Sequence, residues 1–398
     1  MTTYYYVQPT DTLFVRGNLA FGDAGEHGAS MMPPPPSLFA GAFRSAILGR
    51  DAGEMSAFLG QGRCDDIRLD ACLGSPEIPG AFRITWLSLA GCPPSPHGRG
   101  AGGEGEGATP EAIIQLPADL LRLESGFAPL QPREAGEFIS STGELPLRAT
   151  MISDKQEKPK SGYSLRQVGF AHHQQGRLPA AAHEIEARHI YKHDPRLGIG
   201  LNAESRSVEE GLIYTTEGFA FSPAGTAQQP FASTGFLVGI EGADDLLLES
   251  GLLRLGGDGR SAHYRRVEFQ PPRAEDVPGA AKQFRLILQT PALFALGWLP
   301  DGVKREGEDY FLRGTGFSAR LVCAALGRRE VVSGWDLFNW KPKDAQAAVP
   351  AGSVYWFDRF EGDSGKLAAW VEAGLWVENC DLQRRAEGYN RAWLAAWN

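Results

Sequence analysis

Apolar positions in the first fifty residues follow two different periods. TYYYVQP (Thr3–Pro9) reads as a strand, and LFVRG carries it into a turn rich in Gly, Asn and Asp. MMPPPPS then interrupts both. Prolines 33–36 cannot lie inside a helix or a central strand, so the sequence predicts an extended stop with Ser37 as the N-cap of a following helix. Leu38, Phe39, Ala42, Phe43, Ala46 and Ile47 then recur at helical spacing. The opposite face collects Ser37, Gly41 and Arg44, so one side is bulky and the other is small with a single cation.

Beyond the helix the pattern turns mainly to strands. RITWLSLAG (Arg83–Gly91) predicts one, and the Pro/Gly/Glu tract over 92–110 predicts a flexible surface loop. SDKQEKPKSG (Ser153–Gly162) predicts a second mobile loop. From Glu184 the reading is strand, loop, strand as far as Pro223, with HIYKHDP passing from strand into turn. GFLVGIEG alternates at Phe236, Val238 and Ile240 as another strand. DDLLLESGLLRL (Asp244–Leu255) predicts a short helix, GGDGR breaks it, and HYRRVEF (His263–Phe269) closes the series as a strand.

With the long insertion set aside, the order strand, helix, strand, strand, helix, strand is the ferredoxin-like split βαβ pattern. PPRAEDVPG (Pro271–Gly279) marks a boundary. QFRLILQT, ARLVCAAL with REVVSGWDLF, AGSVYWFD, the helix KLAAWVEAGLW and the strand YNRAWLAAW then read as a degraded second copy without its first helix. The predicted class is therefore α+β, with two tandem ferredoxin-like (RRM-like) domains. The first spans 1–272 and carries an insertion over about 84–187, including the flexible loop 92–110; the second spans 273–398.

Composition is globular, with 42% apolar and 22% charged residues in 398. Five cysteines without a C-x-x-C pair support neither a disulfide scaffold nor a cysteine zinc site. The N-terminus lacks the pattern of a secretory signal, and no apolar stretch approaches a membrane span, so a cytoplasmic location is expected. A net charge of −9 argues against a general nucleic-acid coat. The cations, however, are 30 Arg and 9 Lys, and Arg carries the planar fork that suits phosphates and base edges. They also form islands. Residues 154–206 hold nine Lys and Arg against six acids, and residues 254–273 hold five Arg against two.

Catalytic signatures are weak. GRGAGGEGEG (Gly98–Gly107) has no Lys-Ser/Thr and carries two glutamates, so it does not suit a phosphate cradle. LGGDGR (Leu255–Arg260) leaves two readings open. It is either a helix C-cap with a turn, or a place where backbone approaches a ligand that Arg260 clamps. Asp258 stands without the second acid that two-metal chemistry needs. His189 and His193 are four apart and could share a helix face as metal ligands, but HIYKHDP reads as strand into turn with no Cys nearby, and among His172, His173, His183, His189 and His193 no spacing singles out one general base.

These segments resemble the RAMP proteins of CRISPR systems, and within them the type III-B Cmr subunit at the crRNA 5′ end. The resemblance rests on PTDTLFVRGNLAFG followed by PPPPSLFAGAFRSAIL, on LGIGLNAESRSVEEGLIYTTEGFAF, on LGGDGR, and on VVSGWDLFNWKPK with AVPAGSVYWFD, in that order. It implies a non-catalytic, cofactor-free RNA-binding subunit of an RNA-targeting complex. Such a subunit holds the repeat-derived 5′ handle of the crRNA and docks on the large polymerase-like subunit and a neighbouring backbone RAMP. Carried over as RNA-binding are Arg16, Ser37, Gly41, Arg44, Asn202, Arg206, Gly256, Gly257, Gly259 and Arg260; Arg166, His189 and Lys192 join them from the basic island. The competing expectations are a metal-independent RAMP endoribonuclease and a purely structural scaffold.

Overall fold

The computed structural model describes residues 1–15, 27–28, 31–94, 109–134, 145–153, 157–202, 204–221, 230–257, 259–272 and 282–397. Along the chain the main strands are β1 (Thr3–Pro9), β2 (Arg83–Cys92), β3 (Glu111–Gln115), β4 (Tyr163–Arg166), β5 (Glu184–Glu186), β6 (Tyr191–Leu201), β7 (Val208–Phe221) and β8 (Ser233–Glu241). They continue with β9 (Ser250–Arg254), β10 (Ser261–Val267), β11 (Phe284–Leu288), β12 (Val303–Glu306), β13 (Asp309–Gly314), β14 (Phe317–Ala325), β15 (Val354–Gly362) and β16 (Ala392–Ala396). Helices are α1 (Pro36–Leu48), α2 (Ala52–Gln61), α3 (Ile67–Leu73), α4 (Gln167–Gln174), α5 (Ser364–Glu372) and α6 (Leu382–Glu387).

Contacts divide the chain into two units. The first comprises 1–111, 187–269 and 331–346; the second comprises 112–186, 270–330 and 347–398. Thus most of the segment read as an insertion in the first domain clusters with the C-terminal part, and the tryptophan-bearing segment 331–346 clusters with the N-terminal part.

In the first unit five strands run in the order β2–β8–β1–β10–β9, every neighbouring pair antiparallel. Helix α1 packs on β2 and β9 through its apolar stripe. Phe39 meets Phe236 at 4.9 Å between ring centroids, and Phe43 meets Tyr5 and Tyr264 at 5.5 Å each. Both phenylalanines are fully buried, each worth roughly 1.5–3 kcal/mol relative to exposure. A long antiparallel hairpin, β6–β7, lies in a separate sheet.

Two local expectations change. Helix α1 begins at Pro36 with Pro35 as its N-cap, so Ser37 sits inside the first turn. A proline at the first helical position sacrifices only an N–H that has no partner there, and its fixed φ suits the turn. Asp244–Leu255 does not form a helix: Ser250–Arg254 is a strand paired with β10. The edge of the sheet supplies hydrogen-bonding partners that outweigh the helical spacing of the leucines. LGGDGR therefore connects two strands, and the helix C-cap reading falls.

In the second unit β12–β13–β14–β15–β11–β16 form an antiparallel sheet, and β5–β4–β3 run together. Phe284, Leu286, Leu321, Tyr355, Phe357, Leu367, Val371 and Leu394 join in its core. Asp363 caps α5, its carboxylate accepting from the Gly365 and Lys366 N–H groups. All five residues of β11 are buried, including Arg285 at 6% exposure. Asp119 and His173 explain that burial. Arg285 donates to the Asp119 carboxylate, to the His173 carbonyl at 2.7 Å and to the Ala396 carbonyl at 2.8 Å, while His173 Nε2 lies 2.9 Å from Asp119 Oδ1.

Candidate nucleic-acid interface

The chain leaving β1 is held by two close approaches, at Gly218 against the Thr12 and Phe14 side chains and at Gly256 against the Phe14 backbone. Leu13 exchanges both backbone hydrogen bonds with Phe219 of β7, at 2.8 and 2.9 Å. A Cβ on the adjacent Gly218 would fall 2.3 Å from Thr12 Cγ2 and 2.9 Å from Phe14 Cε1. In the Leu255–Arg260 loop, the Gly257 N–H donates to the Phe14 carbonyl at 2.8 Å. Gly256 has φ +85°, and a Cβ there would sit 2.5 Å from the same carbonyl oxygen. The approach made at Gly256 is thus to the chain's own backbone; Gly259, at φ +65°, faces open space.

These contacts put two arginines over one ring. Phe14 is 8% exposed, with the Arg260 guanidinium 5.3 Å and the Arg196 guanidinium 5.6 Å from its centroid. Arg260 Nη1 donates to Asp11 Oδ2. Arg196 Nε donates to Asp194 Oδ2 at 2.9 Å, its Nη2 donates to Thr12 Oγ1 at 2.9 Å, and Nη2 lies 3.9 Å from Asp11 Oδ1. The Thr12 hydroxyl donates onward to Asp194 at 2.7 Å, and the Thr12 N–H donates to Asp11 at 2.6 Å. The Thr12 N–H, with Arg260 and Arg196, lowers the Asp11 pKa, and the Thr12 hydroxyl and Arg196 lower that of Asp194. Two guanidinium groups and two carboxylates therefore form a balanced, charged cluster on the first unit.

The other expected residues occupy several places. Ser37 is half-buried in the first turn of α1, Gly41 is exposed with open space where a Cβ would be, and the Arg44 guanidinium covers the Phe82 ring at 5.1 Å. Asn202 and Arg206 shape the tip of the β6–β7 hairpin. Asn202 Oδ1 accepts from the Glu204 and Ser205 N–H groups at 3.0 Å each, and Arg206 takes φ +53°. Its N–H donates to the Asn202 carbonyl. His189 ends a short 3₁₀ turn, Ala187–His189, and Lys192 is exposed on β6. Arg166 is the N-cap residue of α4 in the second unit. Arg16, Asp258 and most of the 92–110 tract (95–108) lie outside the described residues.

The histidines separate likewise. His173 is buried against Asp119, His172 faces the His183 ring at 5.0 Å, and His193 Nδ1 lies 2.6 Å from Glu217 Oε1. Among the described residues no group of three His, Cys, Asp or Glu is placed to hold a metal ion. None of their helices is long and apolar enough to cross a membrane.

Reading the sequence singled out Arg260 and its glycines but missed Asp11, Thr12, Phe14, Arg196 and Gly218. The nearest one-dimensional signal is Asp194 two residues before Arg196, a spacing that puts both side chains on one face of a strand.

Residues 5–397 match the family described as CRISPR-associated protein (Cas_Cmr3). The chain belongs to that family. The resemblance to a CRISPR-associated RAMP-type Cmr subunit is thereby borne out, and the Cas_Cmr3 match takes in both units. Two solved structures are similar to it, "Cryo-EM structure of the Type III-B Cmr-beta bound to cognate target RNA" and "Cryo-EM structure of the Type III-B Cmr-beta bound to cognate target RNA and AMPPnP, state 1". Each is 14% identical, covering 89% of this chain and 86% of the matched chain, with TM-scores of 0.43 and 0.44. No curated protein matches.

Proposed function

We propose that this Cas_Cmr3 family member is a non-catalytic RNA-binding subunit of a type III-B Cmr effector complex. It holds the repeat-derived 5′ handle of the crRNA and docks on the large polymerase-like subunit and the adjacent backbone RAMP. The observation that carries the RNA-binding part is the pair Arg196 and Arg260 over Phe14, next to the loop the family resemblance had already marked. Guanidinium planes bind phosphate oxygens through paired N–H groups and stack on bases, and oriented arginines that reach solvent suit a single-stranded guide.

Topology supports the same reading. In the first unit, numbering β1, β2, β8 and β10 as first to fourth, the sheet order is second, third, first, fourth, with α1 between the first two in sequence. In the second, β11, β14, β15 and β16 take that same order, with α5 between the last two. Each order fits a split βαβ with one helix replaced by other structure, as two degraded ferredoxin-like domains require.

The test is crosslinking of a reconstituted Cmr complex carrying a photoreactive crRNA handle. Crosslinks are expected on peptides of the first unit, and they should weaken in an Arg196→Ala/Arg260→Ala variant. No crosslink to this chain refutes the assignment. For the non-catalytic part, purified chain incubated with repeat RNA without metal should leave it intact; cleavage abolished by a single His→Ala change would establish the endoribonuclease instead.

A further inference from the structure

We infer that Asp11 is a built-in stand-in for an RNA phosphate, occupying the anion position between Arg196 and Arg260 until the guide's backbone displaces it. The inference rests on the reading above, that this face holds RNA, and concerns how the site is regulated.

Three features single out Asp11 as the displaceable partner. Its two oxygens face two different guanidinium groups, Oδ2 accepting from Arg260 and Oδ1, which also accepts from the Thr12 N–H at 2.6 Å, lying 3.9 Å from Arg196, as the non-bridging oxygens of a phosphodiester would. Its side chain is 53% exposed, so an entering phosphate meets it from solvent. Asp194 is more enclosed at 34% and is tied by both the Thr12 hydroxyl and Arg196 Nε, so it orients Arg196 and stays in place.

Without Asp11, Arg196 keeps its bonds to Thr12 and Asp194, and Arg260 keeps its place over the Phe14 ring. Phe14 underlies both, Thr12 accepts from Arg196, and the Gly256–Phe14 contact anchors the loop that carries Arg260. Exchange of a carboxylate for a phosphate therefore leaves the frame intact and releases the carboxylate to water. Because both cations are already partnered, a passing phosphate gains little here. A handle whose other nucleotides are fixed elsewhere presents its phosphate at high local concentration and prevails. Such a site would reject bulk RNA while accepting a guide delivered in register, consistent with an acidic chain of net charge −9.

The experiment measures binding of a fluorescent single-stranded handle RNA to the full chain over a salt series. Variants are Asp11→Asn, Arg196→Ala/Arg260→Ala, and Glu249→Gln as a control that removes an exposed acid paired with Arg266. Asp11→Asn should bind about three- to tenfold more tightly across the salt series, because the same phosphate enters without displacing a carboxylate. Glu249→Gln should change affinity less than twofold. If the double arginine variant binds as the parent does, the RNA-face reading itself fails. If that variant weakens binding but Asp11→Asn is neutral or weaker, or if Glu249→Gln gives the same gain, the stand-in role is overturned while the RNA face survives. A fall in thermal stability of Asp11→Asn without any gain in affinity likewise assigns Asp11 to structure alone.

Discussion

Asp119→Asn removes one charge from the centre of the second unit while keeping side-chain size. In the parent, Asp119 and Arg285 are 1% and 6% exposed, and three groups depend on the carboxylate or its neighbours: Arg285, His173 and the strand end at Ala396. Burial alone raises a carboxyl pKa, yet the His173 ring and the Arg285 guanidinium beside it outweigh that and hold Asp119 down at about 2. Against an unfolded value near 3.8, that depression amounts to about 2 kcal/mol of stability at neutral pH. The folded pKa is the lower one, so this contribution is complete above about pH 4 and is lost as pH falls toward 2. Stranding the buried Arg285 charge brings the expected cost of Asp119→Asn to about 3 kcal/mol. The assay is amide hydrogen exchange over α4 and β16, the elements that Arg285 ties together. If these amides exchange through opening of the unit, their rates should rise about 100-fold at pH 7. Urea titrations between pH 4 and 2 should show the parent losing stability more steeply than Asp119→Asn. Parallel pH profiles, or exchange unchanged over both elements, would refute the electrostatic argument. An Asp119→Leu/Arg285→Met pair should cost less than the sum of its single changes, because apolar groups can replace a buried ion pair without leaving a charge behind.

Gly218→Ala and Gly256→Ala should each destabilise the first unit by about 1–3 kcal/mol, since their Cβ atoms would press on the Asp11–Phe14 segment; urea midpoints unchanged from the parent would contradict those approaches. Both should also weaken handle crosslinking by moving Phe14 from beneath the arginines. Gly41→Ala meets open space in an exposed helix interior and should stabilise α1 by up to about 1 kcal/mol, read as a higher melting temperature. Loss of crosslinking despite that gain would show that RNA backbone approaches α1 at this glycine. Arg44→Ala should cost about 0.5–1 kcal/mol through the lost stack on Phe82, so its RNA phenotype must be read from variants shown to retain the fold.

Much of the local structure was legible. The proline stop and the stripe Phe39, Phe43, Ile47 locate α1, because helical periodicity is written in adjacent turns. The strands at Thr3–Pro9, Arg83–Cys92, Ser233–Glu241 and Ala392–Ala396 also fall where apolar runs predict them. Asp244–Leu255 was misread because leucine spacing there fits a helix, whereas pairing with β10 decides the outcome. The clustering of 112–186 with C-terminal segments escapes local patterns for the same reason.

The candidate site divides along that line. Sequence by itself determined the loop chemistry, with glycines at 256, 257 and 259 and a cation at 260, and it placed the chain among the RAMP proteins. It also determined that arginine would be the prevailing cation, since Lys is scarce. Only tertiary structure decided that Arg260 would meet Asp11, 249 positions away, and that Thr12 would reach Asp194 across 182. The physical reason is that periodicity and turn preference act over a few residues, whereas a charge cluster forms wherever strand pairing and close glycine contacts bring distant segments within hydrogen-bond reach. Gly218 and Gly256 thus do in three dimensions what no spacing records: they let the chain leaving β1 settle against β7 and the arginine loop, and so bring two cations over one phenylalanine.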